Sequence, residues 1–254
     1  MSQTIRAVER ALDVLLCFSR QTPELTMTQI SEQIGVHKST VHRLLATLEE
    51  KSFVERNSAT GAYRLGIQMF QMAYLTLEHN DLRQIATPYL QRLSEQFRET
   101  VSLSILDGTD MVYLRVIESQ QRVKLAAATG QRLPAFCTAS GKAILAFSSD
   151  EVVQRVIDQG MDKHTEYTLD SPGKLIESFY PIRNQGFALS LQEYEEGINA
   201  IAVPIMNLNH QPIASVAVAG PSYRLSQERM LEVAPEILAR VREISAEVEM
   251  ITNI

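Results

Sequence analysis

The hydrophobic positions of residues 34–50, IGVHKSTVHRLLATLEE, repeat with the period of an α-helix. Apolar residues recur at i, i+3, i+4 and i+7, a spacing that places them on one helical face. They are Val41, Leu44, Leu45 and Leu48. The opposite face of the first two turns carries basic or hydrogen-bonding side chains: Lys38, Ser39, Thr40, His42 and Arg43. The contrast predicts a helix that packs through one face and presents the other to a polar partner.

The pattern before this segment predicts two further helices. The first covers about residues 4–19. Its predicted buried stripe consists of Val8, Ala11, Leu12 and Leu15, widened by Ile5 and Leu16. Thr26 and Gln29 fit a capping box, which starts a short second helix. Gly35 ends that helix, because glycine adopts a left-handed conformation at little cost.

Two short runs of strand-forming residues follow the third helix, at residues 53–56 and 63–65. They flank the turn-rich sequence NSATG, so the segment is predicted to form a β-hairpin. This order of helices and hairpin is that of a winged helix-turn-helix, whose third helix enters the DNA major groove. We therefore predict a DNA-binding domain in residues 1–66.

The sequence pattern of the rest of the chain predicts an α+β domain. Helices are expected at 66–79 and 81–97, with residues 67–80 as a linker helix and 81–254 as the second domain. Short strands are expected at 101–106, 111–117 and 123–128, helices near 141–147, 149–159 and 172–185, strands at 198–206 and 212–220, and a last helix from Ser226. Strands, then helices, then strands indicate an antiparallel sheet.

Composition narrows the class of protein. The chain is 45% hydrophobic and 21% charged, as is typical of soluble globular proteins. Two cysteines provide neither a disulfide framework nor a zinc motif, and we expect no metal and no cofactor. Charges interrupt the N-terminal apolar run and no apolar stretch is long enough to span a bilayer, so a cytoplasmic protein without membrane contact is expected. The net charge of −6 argues against nonspecific coating of nucleic acid.

The segment FCTASGKA, residues 136–143, contains candidate chemistry. It lacks the first glycine and the final Ser or Thr of a P-loop, and it matches neither a Ser-x-x-Lys nor a GxSxG motif. Cys137 as a nucleophile would need a base that no sequence feature identifies. Two interpretations of residues 138–141 remain open: the start of the following helix binds an anion through its amides, or Ser140 caps that helix.

The segment SLQEYEEG, residues 190–197, carries three carboxylates. It lacks the pattern of an EF-hand calcium loop, and a solvated acidic loop is the favoured interpretation. An enzyme acting on a small molecule, using Cys137 or this acidic loop, is the alternative to a DNA-binding function.

The chain resembles the isocitrate lyase regulator (IclR) family of bacterial transcription factors over nearly its whole length. The resemblance rests on AVERALDVLLCF, TQISEQIGVHKSTVHRLLATLEEKSFVER and GAYRLG, and on GQRLPAFCTASGKAILA, IRNQGFALSLQEYEEGINAIAVPI and SVAVAGPSYRLS. It implies an N-terminal winged helix that binds operator DNA and a C-terminal GAF-like domain that binds a small effector, often a carboxylate or an aromatic acid. It also implies a homodimer or homotetramer. We expect no enzymatic activity, because no base that could pair with a nucleophile is found in the sequence.

The resemblance further implies which positions bind the effector: Ala139, Ser140, Ser190, Asn199, Ala200, Ala217 and Ala219. Family members that bind small keto acids often have an acidic residue, a cysteine and serines at four of these positions. This chain has serine and alanines there, which makes the expected pocket less polar and favours a larger or more apolar effector.

The residues expected to contact DNA come from the third helix and the hairpin. We predict Lys38 and Ser39 near phosphates and Thr40 and Arg43 near base edges, because arginine can bind guanine through two hydrogen bonds. His42 is a further candidate. Arg56 and Arg64 are expected to contact the DNA backbone from the hairpin.

Overall fold

The computed structural model describes residues 4–19, 21–78 and 81–252. It divides into two compact units, Met1–Asn80 and Asp81–Ile254, each of which is described by itself. Residues 79 and 80, at the end of the predicted linker helix, lie outside the described part of the chain. No helix in the described ranges is both long and apolar enough to cross a membrane.

The first unit is a helix-turn-helix followed by a β-hairpin. Its elements are α1 Arg6–Leu16, α2 Met27–Ile34, α3 Lys38–Glu50, β1 Val54–Arg56, β2 Tyr63–Leu65 and α4 Ile67–Glu78. The predicted capping box is present, since the backbone N–H of Thr26 donates to Gln29 Oε1 at 2.8 Å and Gln29 N–H donates to Thr26 Oγ1 at 3.4 Å. Gly35 ends α2 with a φ of 63°. These local features fix the start of α3.

The core of the first unit is small. Among the described residues it contains Val14, Leu25, Ile30, Val41, Leu45, Val54 and Tyr63. The predicted apolar face of α3 is confirmed, because Val41 and Leu45 are fully buried.

The stripe predicted for α1 is wrong, because Val8 and Leu12 are 53% and 54% exposed while Val14 is buried. The sequence contains a second helical stripe, Ala11, Val14, Leu15 and Phe18, and this one faces the core. A small unit with a single core buries only one of two such faces. On α4 the predicted stripe of Phe70, Ala73, Tyr74 and Leu77 is not buried at its start, since Phe70 is 66% exposed. The side chains of Tyr74 and Leu77 lie outside the described set.

The second unit is built on a six-stranded antiparallel sheet of order β5-β4-β3-β8-β7-β6. Its strands are β3 Thr100–Asp107, β4 Asp110–Ile117, β5 Arg132–Pro134, β6 Ala188–Leu191, β7 Ile198–Met206 and β8 Pro212–Pro221. Its helices are α5 Asp81–Phe97, α6 Ala139–Leu145, α7 Asp150–Gln159, α8 Pro172–Gln185 and α9 Gln227–Thr252. The predicted α+β class is confirmed.

Two hydrophobic clusters place this sheet between layers of helices. Strand residues such as Leu103 and Ile201 pack with α5 and α9 on one face. Strand residues whose side chains point to the opposite face, including Ala202 and Ala217, pack with α6, α7 and α8. The small alanines leave room on this second face, which matters for the site described below.

The strand predictions need correction. Residues 123–128 are not a strand, and neither β5 nor β6 was predicted. The free edge of β4 is occupied by residues further along the chain: Tyr113 N–H donates to Gln131 O at 3.1 Å, and Gly130 N–H donates to Tyr113 O at 2.8 Å. β5 then continues this pairing, so the edge of β4 is not open to residues 123–128.

Candidate functional sites

The N-terminal half of α3 presents an exposed polar face. Since Val41 and Leu45 point into the core, the side chains on the other side of the helix face outward. Lys38, Ser39, His42 and Arg43 are exposed, whereas Thr40 is half-buried. Exposed basic and hydroxyl side chains on one helical face are suited to phosphates and base edges.

One further polar residue at this face was not predicted. His37 occupies the position before α3 and makes no capping bond with its side chain. Its ring atom Nδ1 lies 3.1 Å from Ser39 Oγ, and the side chain is exposed. Its position directly before the third predicted helix could have identified it from the sequence.

The two arginines of the hairpin differ in their surroundings. Arg56 lies over the ring of its cross-strand partner Tyr63, with its guanidinium carbon 5.7 Å from the ring centre. Arg64 forms an ion pair with Glu55 and a second one with Glu24 at 3.9 Å. The charge of Arg64 is therefore partly offset within the unit, whereas Arg56 is exposed beside an aromatic ring.

A cavity lies in the second unit, on the sheet face covered by α6. Its atom-free space, counted together with the solvent-open mouth, is about 680 Å³. The lining consists of Ser102, Met111, Tyr113, Leu125, Ala126, Ala127, Gln131, Leu133, Thr138, Ala139, Ser140, Ser190, Tyr194, Glu195, Ile198, Ala200, Ala217 and Ala219. Strands, the start of α6 and two irregular segments thus build one site.

The structure brings most of the predicted effector residues together at this cavity. Ala139, Ser140, Ser190, Ala200, Ala217 and Ala219 all line it. Asn199 does not, because successive residues of a strand point to opposite faces and Ala200 occupies the cavity side. The Asn199 amide instead donates to Leu225 O at 2.9 Å.

Several lining residues were missed in the sequence, among them Tyr113 and Tyr194. Alternation along β4 places Met111 and Tyr113 on the cavity face, which was a usable signal once the face of the sheet was known. Burial raises the pKa of Tyr113 to about 12, with smaller contributions from Tyr194 and Glu195. The Tyr113 hydroxyl therefore stays protonated at neutral pH.

The polar groups of the cavity are mainly hydroxyls. They include Ser102, Ser140, Ser190 and the two tyrosines, together with the amide of Gln131. The lining residues, all of which are described, include no lysine, arginine or histidine. A ligand in this cavity is therefore oriented by hydrogen bonds within a largely apolar wall.

The start of α6 settles the role of Ser140 in capping. Thr138 is the N-cap, since its Oγ1 accepts from Gly141 N–H at 3.2 Å, and Ser140 lies inside the helix and lines the cavity. Gly141 has a packing role. A Cβ there would lie 2.0 Å from the carbonyl oxygen of Ala135, so only glycine allows this close approach of α6.

The acidic segment is not the fully solvated loop that the sequence had suggested. Glu195 and Glu196 are exposed, but Glu193 is buried and bonds to Lys142 of α6. Burial raises the pKa of Glu193 and lowers that of Lys142, and their mutual attraction opposes both shifts. No local sequence pattern indicates this pairing, because its partners lie 51 residues apart.

Cys137 does not line the cavity and is fully buried. Burial raises the pKa of its thiol to about 12, and the Glu193 carboxylate adds to this effect. The neutral thiol is thus the stable form, which disfavours nucleophilic chemistry. Within the described ranges, no group of three or more His, Cys, Asp or Glu side chains is arranged to hold a metal ion.

Comparison with known proteins gives matches over both units. The model of the IclR helix-turn-helix domain matches residues 7–58, and that of the bacterial transcriptional regulator IclR C-terminal domain matches residues 74–246. The HTH-type transcriptional regulator XynR of Escherichia coli is 33% identical over 89% of this chain and 90% of its own length.

Solved structures have the same fold. The crystal structure of Thermotoga maritima IclR is 26% identical, with a TM-score of 0.78 over 97% of this chain and 100% of its own. An IclR homologue from Microbacterium hydrocarbonoxydans, solved with 4-hydroxybenzoate, is 23% identical with a TM-score of 0.83, over 95% of this chain and 99% of its own. At that identity the second likeness concerns the fold alone. Together with the two family matches, these findings show that the chain belongs to the IclR family of DNA-binding bacterial transcriptional regulators.

Proposed function

We propose that this IclR-type regulator binds operator DNA through the exposed face of α3 and changes its affinity when a small organic acid enters the cavity of the second unit. The observation that carries this proposal is the cavity itself. Six of the seven positions expected to bind an effector surround one cavity. The domain division follows: DNA binding by 1–66, linkage by 67–80 and effector binding by 81–254.

On the DNA side, Lys38 and Ser39 bind phosphates, and Thr40 and Arg43 contact base edges, with His42 beside them. The exposure of most of this face supports the assignment, although half-buried Thr40 has the least reach. In the hairpin, Arg56 is the stronger candidate for a backbone contact. Arg64 already has two carboxylates beside it, so part of its charge is offset.

On the effector side, the lining favours an acid with one charge and an apolar or aromatic body. The lining has no cationic side chain, so hydroxyls must hydrogen-bond a single carboxylate, and a second one would add another unpaired buried charge. The hydroxyls of Ser102, Ser140 and Ser190 can orient one polar end, while the alanines accommodate the apolar body. The homologue solved with 4-hydroxybenzoate makes that acid a suitable first probe.

The exposed face of α1 supports assembly into a homodimer or homotetramer. Ile5, Val8, Leu12 and Leu16 lie on one side of this helix and are 69%, 53%, 54% and 81% exposed. A stripe of this kind is typical of an interaction surface. A dimer on a roughly palindromic operator, in the cytoplasm and away from membranes, is the arrangement we propose.

The alternative of an enzyme has little support from the site. Its candidate nucleophile, Cys137, is held neutral by burial, and the acidic loop has its buried carboxylate engaged with Lys142. We therefore assign the cavity to ligand binding without catalysis.

The test is fluorescence anisotropy of the full-length protein with DNA from upstream of its own gene and with a scrambled duplex, across a salt series. We expect operator affinity at least about 1000-fold above the scramble, falling steeply with salt. Adding 4-hydroxybenzoate or a related monocarboxylate should change the operator affinity by about fivefold or more. Equal binding to all sequences, including pooled genomic fragments and with acids present, would contradict the proposal.

A further inference from the structure

A buried ion pair lies beside the cavity, between α6 and the acidic segment. Lys142 Nζ bonds to Glu193 Oε1, and the two side chains are only 4% and 9% exposed. Removing a charge from water is costly unless a partner of opposite charge compensates. Each residue therefore needs the other in order to stay in this position.

The pair joins two parts of the cavity wall. Residues 192–197, which we call the cavity loop, supply Tyr194 and Glu195 to the lining. Helix α6 supplies Ala139 and Ser140, which precede the lysine of the pair by three and two residues. The ion pair therefore connects these two walls through side chains that do not themselves line the cavity.

Additional hydrogen bonds hold the first residues of the cavity loop. Thr165 Oγ1 donates to the carbonyl oxygen of Gln192 at 2.7 Å, and Thr168 Oγ1 donates to that of Glu193 at 2.6 Å. Within the loop, Gly197 N–H donates to Gln192 Oε1 at 2.8 Å. The Glu193 side chain is the loop's own link to α6.

Two features make this loop conformation costly to maintain. Gln192 has a φ of 60°, in the left-handed region that strains residues other than glycine. The second carboxylate oxygen of Glu193, Oε2, is buried and has no hydrogen-bond partner in the described part of the protein. A strained loop with an incompletely paired anchor is suited to open when that anchor is lost.

We propose that Lys142 and Glu193 are positioning residues that hold the cavity loop closed against α6. The inference rests on the proposed ligand-binding role of the cavity, and it concerns the closure of that same site. Neither residue lines the cavity. Their pairing decides whether Tyr194 and Glu195 stay at the cavity wall or move away from it.

Hydrogen–deuterium exchange of the full-length protein tests this inference without a ligand. The informative variant is the double substitution Lys142→Met with Glu193→Leu, because it removes both buried charges and leaves neither unpaired. We expect amides of residues 192–198 to exchange about tenfold faster or more, while peptides from α5 and β3 keep their wild-type rates. The single variant Lys142→Met should show the same local acceleration with additional loss of global stability.

Lys174→Met is the matched control. Lys174 also pairs with a carboxylate, that of Asp170 at 2.8 Å, but both side chains are exposed and lie on the surface near α8. This control should leave the cavity loop unchanged. The inference is overturned if the double variant exchanges at wild-type rates in residues 192–198, or if exchange accelerates equally throughout the second unit.

A second measurement separates this inference from the proposed function. Titration calorimetry with 4-hydroxybenzoate asks whether the wild-type cavity binds that acid at all, and failure there would count against the ligand class alone. The exchange result decides the role of the ion pair in either case. If the acid binds, stopped-flow measurements should show its release from the double variant accelerated by about tenfold.

Discussion

The two units of this chain place their candidate functional side chains in opposite environments. Lys38 and Arg43 on α3 are exposed to solvent, whereas Ser140 and Ser190 in the cavity are each 5% exposed. A DNA-binding face acts on an external surface, so its residues can follow one another along one helix. A ligand cavity must exclude water and therefore draws residues from many elements. A local sequence pattern can predict the first kind of site, but the second depends on the whole fold.

The largest expected effect comes from disrupting the close approach of α6 to the backbone of Ala135. Gly141→Ala introduces a Cβ 2.0 Å from Ala135 O and 2.4 Å from its Cα, which forces the backbone to move. We expect a loss of about 3 kcal/mol or more in the free energy of unfolding of the second unit. The corresponding fall in its melting temperature is roughly 6–12 °C, measurable by calorimetry.

Gly173→Ala is the control for this change. Gly173 also lies in a helix, but a Cβ there would have no neighbour within 4 Å. Its substitution should leave the melting temperature unchanged or raise it slightly, since alanine favours helix. Equal melting curves for the two variants would break the claim that the cavity depends on tight packing of α6.

The exposed site should respond differently, with loss of binding and no loss of stability. Arg43→Ala should cost about 1–3 kcal/mol in operator binding and relax sequence specificity, because a base contact is removed. Arg56→Ala should weaken operator and scrambled DNA alike, because a phosphate contact carries no sequence information. Anisotropy with both duplexes measures the two effects.

Lys51→Ala provides the control on the same helix. Lys51 follows the C-terminal end of α3, is exposed, and lies 3.7 Å from Glu50. The Lys51→Ala variant should bind operator with an affinity within about twofold of wild type if the DNA-contacting face is confined to the first turns of α3. Equal losses on both duplexes for the Arg43 and Arg56 variants would contradict the assignment of separate roles.

The same comparison explains what the sequence could predict. The capping box at Thr26, the end of α2 at Gly35 and the apolar face of α3 are all set by residues within one or two turns of each other. The family resemblance supplied the cavity positions, but Asn199 was assigned to the wrong face of β7. Alternation relative to Ala200 would have corrected it.

Other features depend on partners distant in sequence. The burial of Glu193 requires Lys142 on α6, and no local pattern indicates such a pair. Residues 123–128 have strand propensity, yet the edge of β4 is already taken by residues 130–134. Competition for a shared edge is decided by tertiary structure, which overrides propensity.

The two faces of α1 give a prediction of intermediate size. Val14 is completely buried in the small core of the first unit, so Val14→Ala should reduce the free energy of unfolding of that unit by about 2 kcal/mol. Leu12 is 54% exposed, and Leu12→Ala should change the free energy of unfolding by less than about 0.5 kcal/mol. Thermal melts at low protein concentration measure the stability of the two variants.

Sedimentation equilibrium then assigns the exposed face. If it is a dimer surface, Leu12→Ala should raise the dimer dissociation constant by about tenfold despite its small effect on folding. Should Leu12→Ala destabilise the unit as much as Val14→Ala while leaving association intact, the face would belong to the core of the unit.

The smallest effect is expected at Cys137, where the enzyme alternative makes the opposite prediction. Cys137→Ala removes one buried sulfur and should cost about 1 kcal/mol of stability, with DNA affinity and effector response within about twofold of wild type. An enzyme using this nucleophile would lose its activity. Anisotropy and a thermal melt measure the two outcomes.

Thiol titration makes the same distinction directly, in a Cys17→Ser background that leaves Cys137 alone. Burial raises the pKa of Cys137 from 9.0 to about 12, so its thiolate fraction at pH 8 is about 1000-fold below that of an ordinary thiol. Reaction with a disulfide reagent should slow accordingly. Because the unfolded chain ionises first, the fold should lose this contribution to its stability as the pH rises from 9.0 towards about 12. Rapid labelling in the native state would mean that Cys137 is accessible and activated, and the cavity would then have to be considered as a catalytic site.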